Sequence, residues 1–301
     1  MKDYNLIIYV SIIMGTIARI FMLRIDYRQY PSYPQSFVSH LILGFVAASL
    51  GTVATPAFIS KEYAAVTFLA LATSQFREIR NMERQSLENL EETELVVRGR
   101  AYIEDIAKRF EARNYVAFIT SFIVCTISII LSNFLESFIV IIINICLGFI
   151  VMNFLNNLMK ANTIKDIATV KEAKIHFEGP LMCVDNVIIM NIGLNASKEI
   201  IEKNAVAVMI YPNNANAVAT LANIGQRQAI LHNLSTQLGI RKDVDEPDFT
   251  PLARRQPETG NIAIVILAIN NNIEDMIAST QRVPILESSK RKPIQSANKE
   301  G

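Results

Sequence analysis

The chain is poor in the residues that most often carry chemistry. In 301 residues it holds three cysteines and three histidines. Cys125, Cys146 and Cys183 form no pair at metal-ligand or redox spacing, and the first two sit inside apolar runs. That pattern gives neither a disulfide framework nor a zinc site, so no metal and no cofactor is expected. His40, His176 and His232 fall in separate segments, the first reading as interfacial and the second as a surface or half-buried strand residue. Also missing are a Gly-x-Ser-x-Gly elbow, a His-Glu-x-x-His pair, an Asp-Thr/Ser-Gly loop and a glycine-rich phosphate loop. Repeats at solenoid periods are absent too. Lys and Arg number 29 against 28 Asp and Glu, for a net charge of +1, so there is no concentrated basic face for nucleic acid.

What the chain has is apolar surface, unevenly distributed. Hydrophobic residues make up 51% of it, and the long apolar runs lie in the first 160 residues. A span of the hydrocarbon core takes about 20 mostly apolar residues. Five stretches fit, at 5–23, 37–55, 57–76, 115–132 and 135–156. The third carries Lys61 and Glu62 near its start, leaving only Tyr63–Phe76 free of charge. The first follows Lys2 but ends in Arg24, Asp26 and Arg28 without a small-residue cleavage site, so it reads as a retained anchor.

Loop charge orients the spans. Basic residues gather at 24–28, at 77–113 and after 160, while the connections near 55–60 and 132–136 have few. Lys and Arg favour the cytoplasmic side. Five spans with the N-terminus outside and the C-terminus cytoplasmic put every basic loop in the cytoplasm. The expected architecture is a membrane α-helical bundle of about five transmembrane helices over residues 1–160, with a cytoplasmic helical insertion at 77–114. No span has a central ionisable residue, which disfavours a channel or pump. Asn144 and Asn153 in the fifth span read as hydrogen-bonding contacts to other helices, and Arg19 as a side chain reaching the interface.

Beyond 160 the pattern changes. Short β-branched apolar runs at 173–177, 181–192, 205–211 and 262–269 alternate with helical patterns at 196–203, 215–238 and 272–281. This predicts a small C-terminal cytoplasmic α/β or α+β domain over 165–283. The proline- and charge-rich stretch 243–260 reads as a surface loop and 284–301 as a disordered tail.

Between two apolar runs lies RGRAYIEDIAKRFEARNY, residues 98–115. On a helix Ile103, Ile106, Ala107 and Phe110 form a stripe, and Glu104–Lys108 and Asp105–Arg109 are acid-before-base pairs at four-residue spacing. One reading is a salt-bridged amphipathic helix leading into the fourth span. The other makes Arg98, Arg100, Tyr102, Glu104 and Asp105 an interaction motif, with Tyr102 and Glu104 facing a partner or the cytoplasmic domain and the arginines holding an acidic group.

The string AYIEDIA at 101–107, with a basic stretch before it and a span after it, resembles the signature of the YIEGIA family, multi-span membrane proteins of endospore-forming Firmicutes. The match covers Tyr102, Ile103, Glu104, Ile106 and Ala107; Asp105 stands where the family string has glycine. The resemblance implies a bacterial cell membrane, a role in sporulation and a loose link to proteolytic control of a soluble protein. The expected function is therefore a membrane-bound regulatory or docking factor binding a cytoplasmic protein partner. The alternative is a membrane-anchored protease whose carboxylates come from separate segments, with Asp26, Glu104, Asp105, Asp166 and Asp185 available and none singled out as catalytic.

Overall fold

A computed structural model describes residues 5–30, 37–242 and 249–293, with side chains for all of these but 25–29. Five long helices come first: α1 (Asn5–Gln29), α2 (Phe37–Ile59), α3 (Ala64–Leu90), α4 (Arg100–Leu131) and α5 (Ser137–Leu158). Among the described residues, four stretches are long and apolar enough to cross a membrane: Asn5–Arg24, Phe37–Ile59, Arg100–Leu131 and Ser137–Leu158. Residues 57–76 do not form one helix as expected. The chain leaves α2 at Ile59, turns through exposed Ser60–Tyr63 with Lys61 at φ 56°, and only then enters α3. The turn lets Lys61 and Glu62 stay hydrated instead of being carried within a continuous apolar helix.

The chain divides into two compact units. The first comprises Met1–Tyr27, Tyr33–Ser86 and Ile106–Lys160; the second comprises Arg28–Ser32, Leu87–Asp105 and Ala161–Gly301. In the first unit small residues let helices approach backbone to backbone. A Cβ placed on Gly51 of α2 would collide with the Phe118 carbonyl of α4. Asn144 of α5 donates from Nδ2 to Ser11 Oγ of α1 at 3.2 Å, the interhelical bond its position called for. Asn153 is exposed instead. Arg19 also departs from expectation. It turns inward, fully buried, with its guanidinium 4.9 Å from the Phe110 ring centre and Nη2 3.5 Å from Nδ1 of the buried His40. Stacking on an aromatic face suits a guanidinium better than an ammonium, because the planar ion is weakly hydrated.

The second unit has three layers. Its elements run α6 (Ile164–Ile167), β1 (Ala168–Glu172), β2 (Ile175–Glu178), β3 (Leu181–Val184), β4 (Val187–Asn191), α7 (Asn195–Asn204), β5 (Ala205–Pro212), α8 (Ala215–Leu221), α9 (Ile224–Leu238), β6 (Leu252–Arg255), β7 (Ile262–Leu267) and α10 (Ile273–Arg282). One sheet is ordered β1-β5-β7-β6 and the other β2-β3-β4, and every pairing is antiparallel. Alternation along β7 explains the layering. Ile262, Ile264 and Ile266 join Ile230, Leu234 and Met276 of the helices in one core. Ala263, Val265 and Leu267 join Met182, Val184 and Ile189 of the smaller sheet in another. A strand buried on both faces reads as an unbroken apolar run, as this one does. The antiparallel sheets and segregated helices make the unit α+β.

Two expectations about this unit are corrected. The 243–260 stretch contains β6, which pairs with β7 from Leu252↔Val265 to Arg255↔Ile262; residues 243–248 lie outside the described residues. The tail is ordered at least to 293. Ile285, Leu286 and Ser289 are buried, and Gln226 of α9 clamps the strand-like turn. Its Nε2 donates to Pro284 O at 3.0 Å, and its Oε1 accepts from Leu286 N–H at 2.8 Å and Ser289 Oγ at 2.9 Å. A buried amide with its bonding capacity so filled holds its partners firmly. Residues 294–301 lie outside the described residues.

Candidate functional site

The residues singled out at 98–105 all lie in the second unit, and the segment is built by a turn. After α3 a short 3-10 helix at Glu91–Thr93 leads into an extended stretch, and Gly99 reverses it at φ 82° before α4 starts. Glu91 holds the reversal by accepting from the backbone N–H groups of Arg98 at 2.8 Å and Gly99 at 3.0 Å. Arg98 is buried and pairs with Glu94 at 2.8 Å and Glu91 at 3.7 Å, so its charge is matched within its own loop.

Tyr102 is completely buried. Its hydroxyl lies 2.9 Å from Nδ2 and 3.2 Å from Oδ1 of Asn233 on α9. Its ring stands edge-on to His232 at 6.1 Å and tilted to Tyr30 at 5.6 Å. His232 Nδ1–H donates to the Val96 carbonyl at 2.6 Å, which requires a proton on Nδ1. Burial pushes the His232 imidazole down from its usual range; the Val96 bond opposes that and the Arg98 charge adds to it. Asp105 is 4% exposed and accepts from the Tyr30 hydroxyl at 2.6 Å and from the Glu287 backbone N–H at 3.1 Å.

The five residues therefore divide. Arg98, Tyr102 and Asp105 face inward; Arg98 closes its own loop, while Tyr102 and Asp105 fasten the start of α4 to α9, to Tyr30 and to the 3-10 turn at Glu287–Ser289. Arg100 is exposed and Glu104 half-buried. Arg100 lines a cleft of about 430 Å³ with Glu88, Glu91, Gly99 and Ile103. Sequence reasoning missed His232, Asn233 and Gln226, the partners on α9.

The carboxylates considered for acid catalysis serve separate local structures. Asp166 accepts from Thr163 N–H at 2.7 Å and Oγ1 at 3.0 Å at the start of α6, Asp185 accepts from Lys174 N–H at 2.9 Å, and Asp105 is held as above. The side chain of Asp26 lies outside the described residues. A second cavity, about 300 Å³, lies in the same unit beside the smaller sheet, lined by Met182, Met190, Ile192, Leu194, Phe249 and Leu252 among others. Its polar lining residues are Asn191, Ser197 and Thr250, and among the described residues its lining includes no titratable side chain.

Apolar helices joined to an α+β unit, in which Tyr102 and Asp105 are buried, define a helical protein of membrane-spanning composition with a globular extension. The family model described as "YIEGIA protein" matches residues 7–296, so the chain belongs to the YIEGIA family. It is 39% identical over 295 residues to the Bacillus subtilis (strain 168) protein described as "Uncharacterized protein YphB", covering 98% of this chain and 97% of that one. No solved structure matches.

Proposed function

We propose that the protein is a multi-pass component of a bacterial cell membrane whose cytoplasmic unit docks a protein partner and so regulates an event of spore formation. The observation that carries the docking reading is the 300 Å³ cavity: mostly apolar, methionine-containing and, among the described residues, lined by no titratable group. Such a lining binds apolar side chains adaptably but supplies no acid, base or nucleophile. The scattered structural use of Asp105, Asp166 and Asp185 weighs against the protease alternative in the same direction.

Five crossings, N-terminus outside, remain the preferred topology, and connectivity supports them. Tyr30, Tyr102, Asp105 and Asn233 make contact within one unit, so they share one side of the bilayer. Between Tyr30 and Tyr102 the chain must then cross an even number of times. With α2 crossing once, α3 supplies the return. The uncharged stretch Ala64–Phe76 reaches only roughly 20 Å at 1.5 Å per residue, short of the roughly 30 Å hydrocarbon core. That shortfall sets α3 apart from the four longer apolar stretches, and Glu62 and Arg77 at its ends are placed to reach the headgroups. Val66, Leu69 and Leu71 are exposed, which fits a helix facing lipid.

The test is complementation of a deletion strain. Leu194→Glu and Met190→Glu are expected to abolish the sporulation function at unchanged membrane abundance, while Glu104→Gln, Asp166→Asn and Asp185→Asn retain it. Silent cavity variants together with inactive carboxylate variants would replace docking by proteolysis.

A further inference from the structure

The hairpin formed by β2 and β3 places three metal-ligating side chains on one face. His176 and Cys183 are direct cross-strand partners, and Glu178 lies two residues along β2 from His176, hence on the same face of the strand. The register fixes this. Ile175 and Phe177 alternate with them toward the core, as do Met182 and Val184 beside Cys183. His176 Nε2 is 3.4 Å from Glu178 Oε1, and the nitrogen, carboxylate and sulfur donor atoms all lie within 4.8 Å of one another.

We infer that His176, Glu178 and Cys183 form a binding site for a zinc-class divalent cation. Donors at about 2.0–2.3 Å from tetrahedral zinc stand roughly 3.3–3.8 Å apart. The imidazole and carboxylate already have that spacing, and both side chains are free to close the rest, being 43% and 68% exposed. A mixed nitrogen, oxygen and sulfur set selects zinc over magnesium or calcium, which take oxygen. Cys183 is 3% exposed, so the sulfur forms the floor of the site and the two other ligands its open rim. Three protein donors leave a fourth position for water or an incoming ligand.

The scaffold is stiff where the site needs it. Lys198 of α7 donates from Nζ to the Gly179 carbonyl at 2.7 Å in the hairpin turn and lies 5.6 Å from the Phe177 ring centre. Next to the site, β3 and β4 shift register between Met182 and Cys183, an irregularity of the kind that re-aims a side chain. Cysteine spacing predicted no zinc site because only one cysteine takes part. Its co-ligands come from the neighbouring strand.

The probe is cobalt(II), titrated into the purified full-length protein in detergent and followed by the thiolate-to-cobalt charge-transfer absorption, with zinc(II) as competitor. One equivalent is expected to bind, displaced by zinc, with the band absent in Cys183→Ser and retained in Cys125→Ser and Cys146→Ser. His176→Ala and Glu178→Gln, at exposed positions that leave the core untouched, are expected to weaken binding at least about tenfold, the loss that even outer-shell partners cause. The site is refuted if the unaltered protein gives no band, if the band follows another cysteine, or if His176→Ala and Glu178→Gln bind cobalt as well as the unaltered protein.

Discussion

The Tyr30 hydroxyl donates to Asp105 Oδ2 at 2.6 Å, joining residues 75 positions apart in the chain. Both ends are buried, Tyr30 at 1% and Asp105 at 4% exposure. The bond fastens the exit of α1 to the first turns of α4, with α2 and α3 forming the stretch of chain between them.

That stretch sets a topological prediction. In a cysteine-free background, single cysteines at the exposed positions Ser60 and Asn133 are expected to react with an impermeant maleimide on intact cells, and one at Thr93 only after permeabilisation. Ser60 and Thr93 flank α3. Equal labelling of the two would mean that α3 does not cross.

The bond itself should contribute measurably to stability. Tyr30→Phe leaves a buried carboxylate short of a donor and should cost about 1–3 kcal/mol. Asp105→Gly, which restores the glycine of the family string, should cost more: it removes the acceptor of both Tyr30 and the Glu287 N–H and adds roughly 1 kcal/mol for glycine within a helix. Denaturant titration in detergent of the two single variants and the double variant would show a coupling of about 0.5–3 kcal/mol. Additive losses would mean that the two groups do not interact.

Gly99 stands at φ 82°, where a side chain is strained, and a Cβ there would lie 3.2 Å from Gln228 Cγ. Gly99→Ala is expected to destabilise the protein by about 1–2 kcal/mol. The loss should appear first as faster amide exchange at 94–103, while the α10 amides stay protected. Uniform protection throughout would show that the turn tolerates a side chain.

His232 gives the second unit a pH dependence of definite sign. Its folded pKa is lowered by burial, so between that value and about 6.5 the unfolded chain binds the extra proton and the folded one does not. The stability associated with neutral His232 is fully present above about pH 6.5 and is lost as pH falls through the lowered folded value. Thermal unfolding midpoints measured from pH 7.5 to 5 should fall on acidification, and His232→Gln should flatten that slope. An unchanged slope would assign the acid sensitivity to another group.

Much of the architecture was legible because it follows from periodicity and length. Runs of about 20 apolar residues and the change to short β-branched segments after 160 need no knowledge of partners. The helical segments at 195–204 and 273–282 were visible for the same reason. β6 was hidden, because Leu252–Arg255 has no apolar alternation and is a strand only through pairing with β7. The ordered stretch 284–293 was hidden too. Its proline and lysines look like a tail, but Gln226 supplies the hydrogen bonds that keep Leu286 and Ser289 inside.

AYIEDIA is the clearest division between the two kinds of information. Its composition determined that it would be a helix with an apolar stripe leading into a span, since spacing at three and four residues is a property of the chain alone. That Tyr102 and Asp105 point inward while Arg100 points out was decided by Asn233, Tyr30 and Glu287. Those residues lie 131, 75 and 182 positions away from the side chains they bond. Local pattern determines which face a helix can bury; only the folded chain determines which polar groups on it find partners, because a buried hydrogen bond needs both of its ends in place.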